Sequence, residues 1–134
     1  MESQTVNFES TNENLVVAEK LIDDICQKYK VDEDNYGNIL IAVTEAVNNA
    51  INHGNKQDTS KKVHMEVTYL SDRTLKFTVT DEGEGFDYSS LPDPTDPENI
   101  EKISGRGVFL MQNLADKIDF SEDGKSVEMR FRLE

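Results

Sequence analysis

Apolar residues recur at helical spacing in two stretches near the start of the chain and then switch to strict alternation. Leu15, Ala18, Leu21, Ile22 and Ile25 fall three or four apart, which predicts a first helix with one buried stripe. Ser10-Thr11-Asn12-Glu13 fits a capping box ahead of it, with Ser10 capping an orphan amide while Glu13 reaches back. Lys28 and Lys30 sit near the negative end of its dipole. A second, longer helix is expected after Asp32-Glu33-Asp34. It carries Ile39, Ala42, Val43, Ala46, Val47, Ala50 and Ile51 inward and stops at Gly54 as a C-terminal cap. A short alternating stretch, Thr5 to Phe8, precedes both helices. From residue 63 the period drops to two: Val63, Met65, Val67 and Tyr69, then Leu75, Phe77 and Val79, alternate with polar residues. That pattern predicts a hairpin turning near Ser71-Asp72-Arg73. Pro92, Pro94 and Pro97 all fall between Asp87 and Ser104, where no apolar period survives, so a long loop is expected there. A third helix is expected through Phe109, Leu110 and Leu114. Ile118 and Phe120, the Asp123-Gly124 turn, and Val127, Met129, Phe131 and Leu133 then make a closing hairpin. The order β, α, α, ββ, loop, α, ββ predicts an antiparallel-dominated sheet with helices packed on one face.

Composition narrows the function classes. With 134 residues and 36% hydrophobic content, the chain is read as one domain spanning 1–134. Fourteen Lys and Arg against 27 Asp and Glu give a net charge of -13. Such a field repels nucleic-acid phosphates and anionic lipid, so neither nucleic acid nor membrane is an expected partner, whereas a folded partner with a basic surface is steered in. The single cysteine, Cys26, excludes an internal disulfide and suits a reducing compartment. No apolar run approaches the roughly 18 residues of a membrane span, and MESQTVNFES has the character of no secretion signal. A soluble cytoplasmic protein is expected.

Three places break the pattern. In Glu45-Ala46-Val47-Asn48-Asn49-Ala50-Ile51-Asn52-His53-Gly54, residues 45, 49 and 52 are spaced to line one stripe of the second helix. Asparagine is a poor helix former, costing up to about 0.7 kcal/mol relative to Ala at an interior site. One reading is a solvated polar face, although Lys, Glu and Gln would fill such a face at less cost. The other is that an amide oxygen serves magnesium, a hard cation that also binds phosphate oxygens, with Glu45 one turn away as a base toward a hydroxyl or water. Next, Asp81-Glu82-Gly83-Glu84-Gly85-Phe86 follows a strand whose period of two places Asp81 on the inward face. Asp81 either opens a turn closed by two glycines or accepts from an exocyclic amine such as that of adenine, Gly83 and Gly85 allowing close backbone approach. Finally, Ser104-Gly105-Arg106-Gly107-Val108-Phe109 opens a helix, where free amides bind phosphate. Plain turn geometry explains the glycines as well. Arg106 is suited equally to a phosphate or to one of the many acidic side chains.

Taken in order, E-x-x-x-N-A-x-x-H-G, D-x-G-x-G and G-x-G at a helix start, with a long loop between the last two, resemble the three sequence boxes of the GHKL (Bergerat-fold) ATPases. Within that superfamily the Glu45 to Ala50 wording and the G-R-G-V-F-L-M helix start look like the bacterial anti-sigma-factor serine/threonine kinases. The resemblance implies an α+β, two-layer α/β sandwich of the Bergerat type, its sheet mixed but mostly antiparallel. It implies ATP and Mg2+ as ligands, Asn49 on the magnesium and Glu45 as catalytic base. Asp81 would hold the adenine amine, Gly83 and Gly85 would shape its pocket, and Gly105, Arg106 and Gly107 would contact phosphate. The loop from Asp87 to Ser104 would be the ATP lid, and His53 matches the box as a helix-end histidine. The implied activity is phosphorylation of a STAS-type anti-anti-sigma protein, with a sigma factor as second partner, a homodimeric state and regulation of transcription by partner switching. A non-catalytic ATP-gated binding module of the same fold is the alternative. A sensor histidine kinase fragment is disfavoured, because the two histidines, His53 and His64, both lie inside the ATPase pattern.

Overall fold

The computed structural model describes residues 2–83, 110–121 and 124–133. In chain order its elements are β1 (Glu2–Glu9), α1 (Leu15–Lys28), α2 (Glu33–Asn49), β2 (Lys62–Leu70), β3 (Thr74–Thr80), β4 (Lys117–Phe120) and β5 (Ser126–Arg132). Residues 110–114 are helical, in the region of the expected third helix. The strands form one sheet in the order β1-β2-β3-β5-β4, and all four pairings are antiparallel. The antiparallel character expected of most of the sheet therefore extends to every described strand pair.

Alternation is what gives this sheet two different faces. In register, Met65 opposes Val79, Val67 opposes Phe77, Phe77 opposes Met129 and Leu75 opposes Phe131, all of them buried. The intervening positions, such as Glu66, Thr78 and Glu128, are half-exposed. Phe77 and Phe131 meet edge to face with ring centroids 6.0 Å apart, a geometry the ring quadrupole favours. Ala18, Leu21, Ile22 and Ile25 of α1 and Ile39, Ala42, Val43, Ala46 and Val47 of α2 belong to the same buried cluster. Each large aliphatic side chain among them contributes about 1.5–3 kcal/mol on removal from water. Away from the sheet centre, Tyr29 after α1 stacks on Tyr69 of β2, centroids 4.2 Å apart and 8° from parallel.

Two helix-end expectations are corrected. Ser10 does not cap α1: its side chain is wholly buried and its hydroxyl donates to the Lys61 carbonyl at 2.6 Å. A one-turn 3-10 segment, Asn12–Asn14, leads into α1 instead, and no side-chain cap bond closes either start. A buried hydroxyl must find a partner, and a carbonyl from a distant segment outcompetes the local amide. Gly54 does end the helical run, as expected, but not as a left-handed cap. After Asn49 the helix widens into a π-helical segment, Ala50–Gly54, closed by the Asn55 amide on the Ala50 carbonyl at 2.8 Å. The left-handed residues come later, at Lys56 and Gln57.

Candidate functional site

The site is assembled where the end of α2 meets the turn after β3. Glu45 is half-buried in α2 and lines a cleft of about 520 Å³ with Leu15, Leu40, Ile41 and Thr44. One turn further, Asn49 is only 3% exposed, and neither its Oδ1 nor its Nδ2 has a hydrogen-bond partner among the described residues. Leaving such a group unpaired costs about 1–3 kcal/mol. In a folded protein such a group calls for an explanation.

Asn52 behaves differently from the expected common stripe. Its amide nitrogen donates to the Asn48 carbonyl and side chain and to Asn12 Oδ1, and its oxygen accepts from Gln57. Its amide is thus spent on protein neighbours, which leaves Glu45 and Asn49 as the candidate residues of the stripe.

Asp81 is buried at 6% exposure, as the strand period required. Its own amide donates to the Lys125 carbonyl at 2.9 Å, and its Oδ1 accepts from the Gly83 amide at 2.9 Å. Two glycines make this placement possible. A Cβ on Gly54 would fall onto the Asp81 carboxylate, and a Cβ on Gly83 would fall onto the Gly54 carbonyl. Gly54 is thus required for close approach rather than for a special backbone angle, and the end of α2 and the Asp81 turn are in direct contact.

A polar network fastens the turn from the other side. Asn55, 1% exposed, accepts from the Glu82 amide at 2.8 Å and donates to Ser10 Oγ at 2.7 Å and to the Lys62 carbonyl at 3.0 Å. The Glu82 carboxylate accepts from the Lys62 amide and pairs with His64 Nε2, both at 2.8 Å, while His64 Nδ1 lies 2.6 Å from Asn7 Oδ1. The His64 hydrogen bond, ahead of that from Lys62, holds the Glu82 carboxyl below its ordinary range. Burial pushes the His53 imidazole the same way, below 6.5. Gly85, Gly105, Arg106, Gly107, Phe109, Asp123 and the loop from Asp87 to Ser104 lie outside the described residues.

Comparison with known proteins decides the family. The family described as "Histidine kinase-like ATPase domain" matches residues 8–131. The chain belongs to it. Among characterised proteins it is similar to the serine-protein kinase RsbW of Staphylococcus epidermidis, 33% identical over 103 residues covering 72% of this chain and 65% of that protein. RsbW of Staphylococcus aureus is 29% identical over the same shares. The chain therefore spans slightly less than two thirds of the length of these relatives. Among solved structures, the RsbU and RsbW domains of Rv1364c from Mycobacterium tuberculosis align with a TM-score of 0.70 at 15% identity, over 99% of this chain and 33% of that one. A blue-light activated histidine kinase from Erythrobacter litoralis aligns with a TM-score of 0.53 at 23% identity, over 75% of this chain and 48% of the histidine kinase domain. Both likenesses concern the fold.

For a histidine kinase-like ATPase domain, a magnesium ion is a reasonable guest at Asn49. The bare, buried Oδ1 is a hard oxygen donor, and no group of three or more His, Cys, Asp or Glu capable of caging a metal exists among the described residues. Magnesium keeps several waters and takes phosphate oxygens, so one protein amide suits it. Sequence reasoning misses Asn55, Glu82 and His64. An Asn just after a helix-ending Gly looks like an ordinary turn residue, and nothing in the spacing of His64 and Glu82 announces that they meet. Alternation does carry a clue, since His64 shares its strand face with Glu66 and not with the core.

Proposed function

We propose that this histidine kinase-like ATPase domain binds magnesium ATP and transfers the γ-phosphoryl group to a serine or threonine of a small STAS-type anti-anti-sigma protein, regulating transcription by partner switching in the cytoplasm. The observation that carries the reading is the buried Asn49 amide, without a hydrogen-bond partner among the described residues and one helical turn from Glu45. Asn49 would hold the magnesium, which when bound neutralises charge on the phosphates. Asp81 would accept from the adenine amine, with Gly83 and Gly85 walling the base. Gly105, Arg106 and Gly107 would meet the phosphates. Glu45 would take the proton of the incoming hydroxyl as its oxygen bonds to Pγ and the bond from Pγ to the β-phosphate oxygen breaks, releasing ADP. The likeness to proteins named serine-protein kinase RsbW supports this substrate class, and a homodimer that also holds a sigma factor completes the proposal.

The test is incubation with γ-labelled ATP and a panel of STAS proteins. Label should move to a serine or threonine of one of them, and Glu45→Ala should slow transfer by about a hundredfold or more while ATP binding persists. Undiminished transfer by Glu45→Ala removes the base. ATP-responsive partner binding with no transfer by the unmodified protein replaces the kinase by an ATP-gated binding module.

A further inference from the structure

The amide of Asn55 links three segments that are far apart in sequence: Ser10 after β1, Lys62 at the start of β2, and Glu82 in the turn after β3. Its orientation is forced. The Lys62 carbonyl accepts only and the Glu82 amide donates only, so the side-chain nitrogen must face the first and the oxygen the second. Glu82 adjoins Asp81, whose own amide is held by the Lys125 carbonyl. The turn is thus gripped on both sides of its inward carboxylate, by Lys125 before it and by Asn55 after it.

We propose that Asn55 is a positioning residue for base recognition. By pinning the Glu82 amide it aims the Asp81 carboxylate at the exocyclic amine of the adenine ring. The inference rests on the ATP reading of Asp81, and adds that the carboxylate is useful only while this buried amide holds the turn. Asn55→Asp turns an anionic oxygen toward the Lys62 carbonyl, which repels it and pushes the side chain out of its place, so the Glu82 amide is no longer held where Asn55 holds it, without a change of volume.

The discriminating measurement compares two nucleotides by calorimetry in magnesium buffer: ATP, and purine riboside triphosphate, which carries hydrogen in place of the amine. The unmodified protein should prefer ATP by about tenfold or more, since a buried carboxylate loses its partner in the analogue. In Asn55→Asp the preference should shrink to about twofold or less, while affinity for inorganic tripolyphosphate stays within about twofold of the unmodified value. Equal weakening of all three ligands by the folded variant would overturn the selective role. Ser10→Ala, which removes one acceptor from the Asn55 nitrogen, should reduce the preference by about threefold, and it decides the matter if Asn55→Asp does not fold. An undiminished preference in the folded variants overturns the role of Asn55 while leaving Asp81 as the adenine contact. No preference in the unmodified protein overturns the Asp81 reading and this inference with it.

Discussion

Asn49 and Asn55 stand at the two ends of the π-helical turn, both buried, with opposite hydrogen-bonding fates. Asn55 uses both its oxygen and its nitrogen on neighbours brought in from three segments. Asn49 uses neither among the described residues. A paired buried amide supports the fold that pairs it, whereas one left unpaired costs stability. On the proposed function, the comparison separates residues that build the site from one that would meet the ligand.

The sharpest way to break that contrast is to remove each amide in turn. Asn55→Ala should lower unfolding free energy by about 3 kcal/mol, since it strands a buried amide and a carbonyl and leaves a small void. Urea unfolding measures it, and a loss under about 1 kcal/mol would erase the distinction. Gly54→Ala should cost about 1–3 kcal/mol through overpacking against Asp81, with a drop in ATP affinity larger than that for tripolyphosphate. Asn49→Ala should leave stability within about 1 kcal/mol of the unmodified protein, yet weaken magnesium ATP binding by about tenfold. Chelating magnesium with EDTA should then weaken ATP binding to the unmodified protein but not to this variant.

The smallest effect concerns pH. Burial lowers the folded pKa of His53 below the ordinary 6.5, so the unfolded chain binds more protons at mildly acid pH. That contribution to stability is complete above about 6.5 and is lost as pH falls through the lower folded value. Glu82, lowered from 4.5 chiefly by its hydrogen bond to His64, acts in the same direction in a more acidic window. Thermal melts between about pH 7 and 5 should therefore show a decline that His53→Asn flattens.

Periodicity makes the elements of this fold readable, because alternation over residues 63–79 and the helical spacing through α1 and α2 report burial directly. It also places Asp81 inward. The features it misses have a common physical cause. Whether Ser10 caps a helix or bonds the Lys61 carbonyl depends on a segment 51 residues away, and local rules see only the nearest amide. The widening after Asn49 leaves no mark in composition, since an i→i+5 turn uses the same residues as an i→i+4 one. Gly54 stands out in the sequence for the right conformational freedom but the wrong need: its missing Cβ matters to Asp81, and its backbone angle is ordinary.

The π turn also dictates where the chain tolerates a change of length. Deleting one residue within 50–54 would restore ordinary helical winding and swing the downstream chain by about 100°. That would carry Gly54 away from Asp81 and the residue-55 amide away from Glu82. Gln57 still ties back to that turn, through its amide on the Ile51 carbonyl and its side chain on Asn52, so natural or engineered insertions belong beyond it, in the exposed residues 58–60, downstream of a helix end whose residue count is fixed by what it must touch.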